Sequence, residues 1–408
     1  MKYEINAPHL SSRNNVIDLL RAVTMFLMLT VNEFWSVNGI PHWMQHAAAT
    51  EDMLGFSDII FPTFLFVVGL SIPYSVHRQT ANGKSEGDII RHILQRSFAL
   101  LVMGAFICNY ESGIDPAVGY NTAGYSFLMT VGFFLCFNHY RHKGWLPVCC
   151  KTLGWALLLY LLMTSRNPEG GVFSPSWWGI LGIIGWSYLF CALVYVLATR
   201  RRTLVIVWCL LLIVNIGCTS TAHWFATDGE ALFGSPVIEV LSLVCSILQI
   251  GNGSHHLLIM SGVLFSLFAI DSNKSLSRRR VIGCLVAAAS CLVMAIATHR
   301  VFIISKIIAT APWIFFVLAI DIAAYLVLQF VLTDKTERIF SPLRPAGTAT
   351  LTCYLIPYML YPIVTTFVGW DWSYAIPEPL GIVKCMLTAA FCIFATAVLG
   401  KLNIKLKI

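Results

Sequence analysis

The chain has 408 residues, of which 57% are hydrophobic and 12% charged, and its mean hydropathy is +0.75. A soluble domain carries about 25% charged residues, and half that charge does not cover the surface of a 45.4 kDa globule. A soluble multidomain enzyme, a disordered chain and a disulfide scaffold are thereby excluded, which leaves an all-α polytopic membrane protein.

In chain order, MKYEINAPHLSSRNN is polar throughout. It reads as a cytoplasmic tail (1–15) ahead of a retained signal anchor, not as a cleavable signal peptide. Apolar runs of span length follow at 16–35, 56–76, 91–110, 122–138, 145–163, 177–199, 203–219, 254–271, 281–298, 308–332, 346–368 and 380–400. They predict about twelve transmembrane helices. The mixed stretch 220–253 leaves room for a short interfacial or re-entrant helix around Pro236–Ile250. No repeat of 20–50 residues and no pair of inverted halves is visible.

The loops alternate in charge. Of 27 Lys and Arg residues, 20 fall on the N-terminal tail, alternate turns and the C-terminal tail. Four, Arg166, Arg300, Lys306 and Lys384, fall on the opposite side. The positive-inside rule then places both termini in the cytoplasm and requires an even number of spans. The net charge of +7 is accounted for by this topology, and no nucleic-acid partner is expected. The opposite face carries acids such as Glu33, Glu51, Asp115 and Asp371. These read as a solvated loop surface or as a field that attracts a cationic substrate. The 13 cysteines show no CxxC spacing and lie mostly in apolar runs, so they read as small core residues, not as disulfides or metal ligands.

The densest polar group surrounds the connection 36–56, in LMLTVNEFWSVNGIPHWMQHAAATEDMLGFSDIIFPTFLFVVGLSI. Asn32 and Glu33 end the first span, His42 and His46 lie in the loop, and Asp58 opens the second span. Polar groups near a bilayer pair with one another or serve a function. Histidine is the natural proton acceptor near neutral pH, a carboxylate can fix its tautomer, and an amide can stabilise an oxyanion. His46, Asp58 and Asn32 have those chemistries. For a loop histidine, a hydrogen-bonded interfacial role is the alternative. No HExxH pattern occurs, so no metal is expected. Asp18 and Arg21 are three apart and share a helix face, as a structural ion pair would. Asp321 lies within the tenth run and must face the protein interior. His255 and His256 open the eighth run and His299 with Arg300 closes the ninth; these line a vestibule or anchor at headgroups. Trp177 and Trp178 read as interfacial belt.

These residues carry a family resemblance. VIDLLRAVTMFLMLTVN resembles the "SLDxFRGxxxxxMxxVN" opening of the heparan-α-glucosaminide N-acetyltransferase family. QHAAATEDMLGFSDIIFPTFLFVVGLSI resembles its "HAxWxGxxxxDLVFPxFLFIVGxSI". Weaker matches are WWGILGIIGWSYLFCAL to "RIPGVLQRIALCYL", ISKIIATAPWIFFVLAIDIAAYLVL to "INKxLWTxSFVLxTxGxALLLLAL", and LRPAGTATLTCYLIPYM to "FVxFGxNALxxYVL".

The resemblance implies one transmembrane acyltransferase domain over 1–408 in a bacterial inner membrane. It implies acetyl transfer from cytosolic acetyl-CoA to an amine of a glucosamine-like sugar or glycan on the periplasmic side. His46 takes the place of the family's proposed active-site histidine, as base or acetyl carrier; Asn32 and Asp58 match its neighbours. Glu33, His42, Lys306 and His255 are then expected at the acceptor. Arg78 and Arg344, with Arg91 and Arg96 on the same side, are expected near the donor's phosphates. The lipid bilayer is a partner, and a homodimer is compatible with the resemblance. The sequence departs from the family at Ala49, at Ile184, Gly185 and Trp186, and at Ser305. Residues 111–165 resemble an inserted helix pair. Three rival readings remain: an O-acyltransferase of cell-envelope polysaccharide, whose key histidine falls within the first span; a small-solute transporter with Asp321 essential and His46 dispensable; and a structural membrane protein without catalysis, which leaves the polar first loop unexplained.

Overall fold

The computed structural model describes residues 14–141, 144–175, 178–198, 200–220, 235–268, 278–369 and 376–406. Lipid offers no hydrogen-bond partners, so each apolar run must pair its own backbone, and the helix does this. The chain forms α1 (Asn15–Asn32), α2 (Ser57–Ala81), α3 (Glu86–Glu111), α4 (Thr122–Phe137) and α5 (Trp145–Thr164). It continues with α6 (Gly179–Leu197), α7 (Arg201–Thr219), α8 (Ser235–Ile247), α9 (Ser254–Phe268), α10 (Arg278–His299) and α11 (Ala311–Val331). It ends with α12 (Asp334–Phe340), α13 (Arg344–Thr348), α14 (Thr350–Ile363) and α15 (Leu380–Lys401).

Each of the twelve apolar runs is occupied by helix, and α8 falls where a short extra helix was expected. Among the described residues, ten helices are long and apolar enough to cross a membrane. The other two of the twelve runs, α4 and α9, form shorter helices. Helices α5, α7 and α10 bury few of their apolar residues, as lipid-facing helices do. Residues 1–13 of the N-terminal tail, Trp177, Asp228, Glu230 and Asp371 lie outside the described residues.

The chain divides into two compact units. The first comprises the described residues of Met1–Thr24, Ile40–Leu94 and Trp186–Phe340. Its centre is the pairing of α2 with α9, made close by two glycines. A Cβ on Gly69 would stand 2.0 Å from the Ile259 carbonyl oxygen, and one on Gly262 would stand 2.2 Å from that of Phe66. Small residues let helix backbones approach in this way where water gives no hydrophobic drive. Helix α2 also contains Pro62, whose missing N–H leaves the Asp58 carbonyl without its helical donor. The buried Trp313 indole of α11 donates to that carbonyl at 3.2 Å. Near the other end of α2, Arg21 pairs with Asp18 at 3.2 Å and donates to Ser71, so the expected ion pair is present.

The second unit comprises the described residues of Met25–Gly39, Gln95–Gly185 and Ser341–Ile408. Its α4 and α5 close on Gly132 and Gly154, whose added Cβ atoms would meet Leu158 at 2.8 Å and Cys136 at 2.7 Å. Ser126 of α4 donates to the Tyr358 carbonyl of α14 at 2.6 Å. Two short strands, β1 (Val37–Asn38) and β2 (Ile376–Pro377), pair in parallel. Gly381 at the start of α15 packs under Val37, where a Cβ would stand 2.4 Å from a valine methyl.

Candidate active site

The loop before α2 is folded by its own polar groups. Phe56 N–H donates to Trp43 O at 2.8 Å, Ser57 Oγ to Met44 O at 2.6 Å, and Gln45 Nε2 to Ile40 O at 2.7 Å. Gly55 has no substitute here, because a Cβ would stand 2.1 Å from Gln45 O. Asp58 lies in the first turn of α2, where the helix dipole favours a negative charge. Its side chain is 1% exposed. Oδ2 accepts from the N–H groups of Ala47 at 3.0 Å and Gly55 at 3.2 Å. Oδ1 faces His46 Nδ1 at 2.7 Å.

That contact fixes the imidazole. A carboxylate oxygen has no proton to give, so Nδ1–H donates to Oδ1 and the ring's lone pair is on Nε2. The His46 side chain is half exposed. A half-exposed base with its lone pair on Nε2, held by a buried carboxylate, is an arrangement for taking a proton from a nucleophile.

A second loop, between α10 and α11, brings a cation to the same ring. Ser305 Oγ donates to Ala49 O at 3.0 Å, Ile304 N–H to Asp52 Oδ1 at 2.8 Å, and Met53 N–H to Ile304 O at 3.3 Å. Asp52 also faces His299 at 3.6 Å. Ala309 is held at φ 57°, a left-handed conformation that costs a residue with a Cβ. Asn215 Nδ2 fixes it by donating to Ala309 O at 2.9 Å, and Asn252 Nδ2 donates to Ile308 O at 2.7 Å. Lys306 Nζ thus stands 3.0 Å from His46 Nδ1, 3.5 Å from Nε2 and 3.8 Å from Asp58 Oδ1. Such similar reach to both ring nitrogens places the ammonium against the ring, away from the in-plane Nδ1 direction taken by Asp58. Burial lowers the Lys306 ammonium from its ordinary range, and the Asp58 carboxylate opposes that shift.

The remaining expected site residues divide. His42 is exposed and pairs with Glu51, whose carboxyl is held below its ordinary value by that hydrogen bond and by the Ala48 N–H. His255, in the first turn of α9, packs near Phe61 of α2 with ring centroids 5.9 Å apart. It also lies within electrostatic reach of Lys306. Arg78 is exposed in the last turn of α2. Asn32, which is exposed, Glu33, which is buried, and Arg344, exposed at the start of α13, belong to the second unit. Asp321 of α11 is 1% exposed and faces Thr63 Oγ1 of α2 at 2.6 Å. Sequence reasoning did not foresee the Lys306–His46 contact, the Thr63–Asp321 contact or the role of Trp313. Their partners are far apart in the chain, and the one local signal was Pro62 four residues after Asp58.

The family model described as heparan-alpha-glucosaminide N-acetyltransferase, catalytic, matches residues 13–112. The mouse (Mus musculus) heparan-alpha-glucosaminide N-acetyltransferase is 29% identical over 107 residues, which are 26% of this chain and 15% of that protein. The human (Homo sapiens) protein is 31% identical over 108 residues, again 26% and 15% of the two chains. The matched region therefore spans about 15% of the length of these relatives. It contains Asn32, His46 and Asp58. Through residues 13–112 the chain is similar, at a distant level, to the heparan-alpha-glucosaminide N-acetyltransferase catalytic family.

Proposed function

We propose that this protein is a multi-pass membrane N-acetyltransferase that moves acetyl from acetyl-CoA to the amine of a glucosamine-like sugar. The carrying observation is the His46–Asp58 contact at 2.7 Å, which lies inside the segment matched by the family model. In this reading the acceptor amine attacks the thioester carbonyl. His46 Nε2 takes the proton from the attacking nitrogen, Asp58 holds the ring and stabilises the imidazolium by its negative charge, and the C–S bond breaks to release CoA thiolate. The proton on His46 then returns to the thiolate. The resemblance assigns the oxyanion contact to Asn32, the donor phosphates to basic residues such as Arg78 and Arg344, and the acceptor to the face opposite the termini. Transfer through an acetyl-His46 intermediate uses the same groups and differs in its kinetics.

The test uses sealed vesicles with labelled acetyl-CoA on the side of the termini and glucosamine on the other. Acetylglucosamine is expected with the wild type and not with His46→Ala. Equal product from both would overturn the assignment of His46. Glucosamine flux that consumes no acetyl-CoA would favour the transporter.

A further inference from the structure

Asp58 is an almost completely buried carboxylate, and such a charge requires a counter-charge. Two groups are close enough to provide it: the His46 imidazole at 2.7 Å and the Lys306 ammonium at 3.8 Å. If the histidine provided it, the ring would be an imidazolium and Nε2 would have no lone pair for a substrate. We propose that Lys306 is a positioning residue that serves as the standing counter-ion of Asp58 and so keeps His46 neutral, with Nε2 free to act as base. This rests on the acetyltransferase reading and adds to it the residue that sets the working pH of the base.

Three features of the geometry support this assignment. The Lys306 ammonium stands as close as 3.0 Å to the ring, so a second proton on the imidazole would place two positive charges in contact. The loop that carries Lys306 is fastened to the His46 loop at Ala49, Asp52 and Met53 and to its own unit by Asn215 and Asn252. The backbone that carries Lys306 is therefore fixed beside the ring. The other charged groups around the ring are already paired. Glu51 of the same loop is taken by His42, and Asp52 by His299 at the end of α10. His255 of α9 lies within electrostatic reach of Lys306 and brings no carboxylate. Asp58 of α2 is thus the carboxylate in contact with His46 among the described residues, and Lys306 is the cation beside it.

The experiment reads the protonation of His46 directly. Diethyl pyrocarbonate modifies the neutral imidazole, and the rate of modification at the His46 peptide is followed by mass spectrometry between pH 4.5 and 8.5. The full-length protein is used in lipid vesicles without donor or acceptor. In Lys306→Met the half-maximal pH is expected to rise by about one unit or more, as loss of a contacting charge does. Lys306→Arg is expected to keep the wild-type midpoint, and Asp58→Asn to lower it. An unchanged midpoint in Lys306→Met would overturn the proposal. So would an equal shift in Lys306→Arg, which would mark the effect as one of packing. Because no acetyl transfer is measured, failure of the enzymatic reading leaves this result interpretable. In the transfer assay, the acid limb of kcat/KM is expected to move upward in Lys306→Met by the same amount.

Discussion

Two buried carboxylates lie on facing helices of the first unit and are treated differently by it. Asp58, at the mouth of α2, has both oxygens in use, from His46 on one side and from two backbone N–H groups on the other. Asp321, within α11, has the Thr63 hydroxyl at Oδ1, and Oδ2 has no hydrogen-bond partner among the described residues. A saturated carboxylate is held in one place and can hold another group in turn. A half-satisfied one inside a membrane helix is a reserve of unmet hydrogen bonding. The acetyltransferase reading needs the first kind of residue, and a solute or proton carrier needs the second.

Asp58→Asn tests the first half of the comparison and carries the largest expected effect. The new amide can still accept from the Ala47 and Gly55 N–H groups with its oxygen. Its NH₂ then faces His46 Nδ1, which must give up its proton to accept, and the ring switches to the tautomer with hydrogen on Nε2. A base in the wrong tautomer loses about 10⁴ in kcat in a comparable triad. The same fall is expected here in labelled acetyl transfer. A variant within threefold of wild type would break the triad reading.

Asp321→Asn tests the second half and should do the reverse. Its amide can still meet Thr63 and fills the same space, so acetyl transfer is expected to stay within about threefold, a cost in keeping with a single interhelical hydrogen bond in a membrane. Loss of glucosamine flux with transfer intact would show a carrier function beside the enzyme, and loss of transfer itself would move the chemistry away from Asp58.

The two carboxylates also show which parts of the molecule were legible beforehand. The helices were, because an apolar run in lipid has one way to satisfy its backbone, and α5, α7 and α15 begin and end within a few residues of their runs. The pairing of Asp58 with His46 was foreseeable in kind, since the two lie 12 residues apart, one in the loop before α2 and one in its first turn, and have matched chemistry. Lys306 was expected to bind the acceptor, and its contact with His46 spans 260 residues. Nothing in ISK announces the hydrogen bonds that fasten the 304–306 segment to Ala49 and Asp52. The Thr63–Asp321 contact spans 258 residues and depends on how α2 and α11 face each other. The β1–β2 pairing joins two polar-flanked dipeptides with no strand pattern at all.

Trp313→Phe sharpens the comparison from behind the site. Pro62 has left the Asp58 carbonyl without a helical donor, and the indole supplies one. Phenylalanine keeps most of the packing and strands a buried carbonyl, at about 1–2 kcal/mol. A fall of a few degrees in the thermal transition is expected, measured by size exclusion after heating in detergent. Transfer by the surviving folded protein should drop modestly, because the first turn of α2 carries Asp58. A stable, fully active variant would mean that water serves the carbonyl as well as the indole does.

The smallest effect is expected at the rim, where Glu51 pairs with His42 and accepts from the Ala48 N–H. The Glu51 carboxyl ionises below its ordinary value of 4.5 in the folded loop. A group whose folded value is depressed stabilises the fold fully above its unfolded value, and that contribution is lost as pH falls through the folded one. Loop order should therefore be constant at neutral pH and decline below about pH 4.5, the unfolded value. Glu51→Gln should show the loosened loop at every pH, read as faster proteolysis between His46 and Asp58. Because Glu51 is exposed, the difference is expected to be small and to shrink further in high salt, while the Asp58–His46 contact, buried on its carboxylate side, should not respond to salt. A salt-sensitive transfer rate with an unaltered loop would place the functional charge at the rim instead of at Asp58.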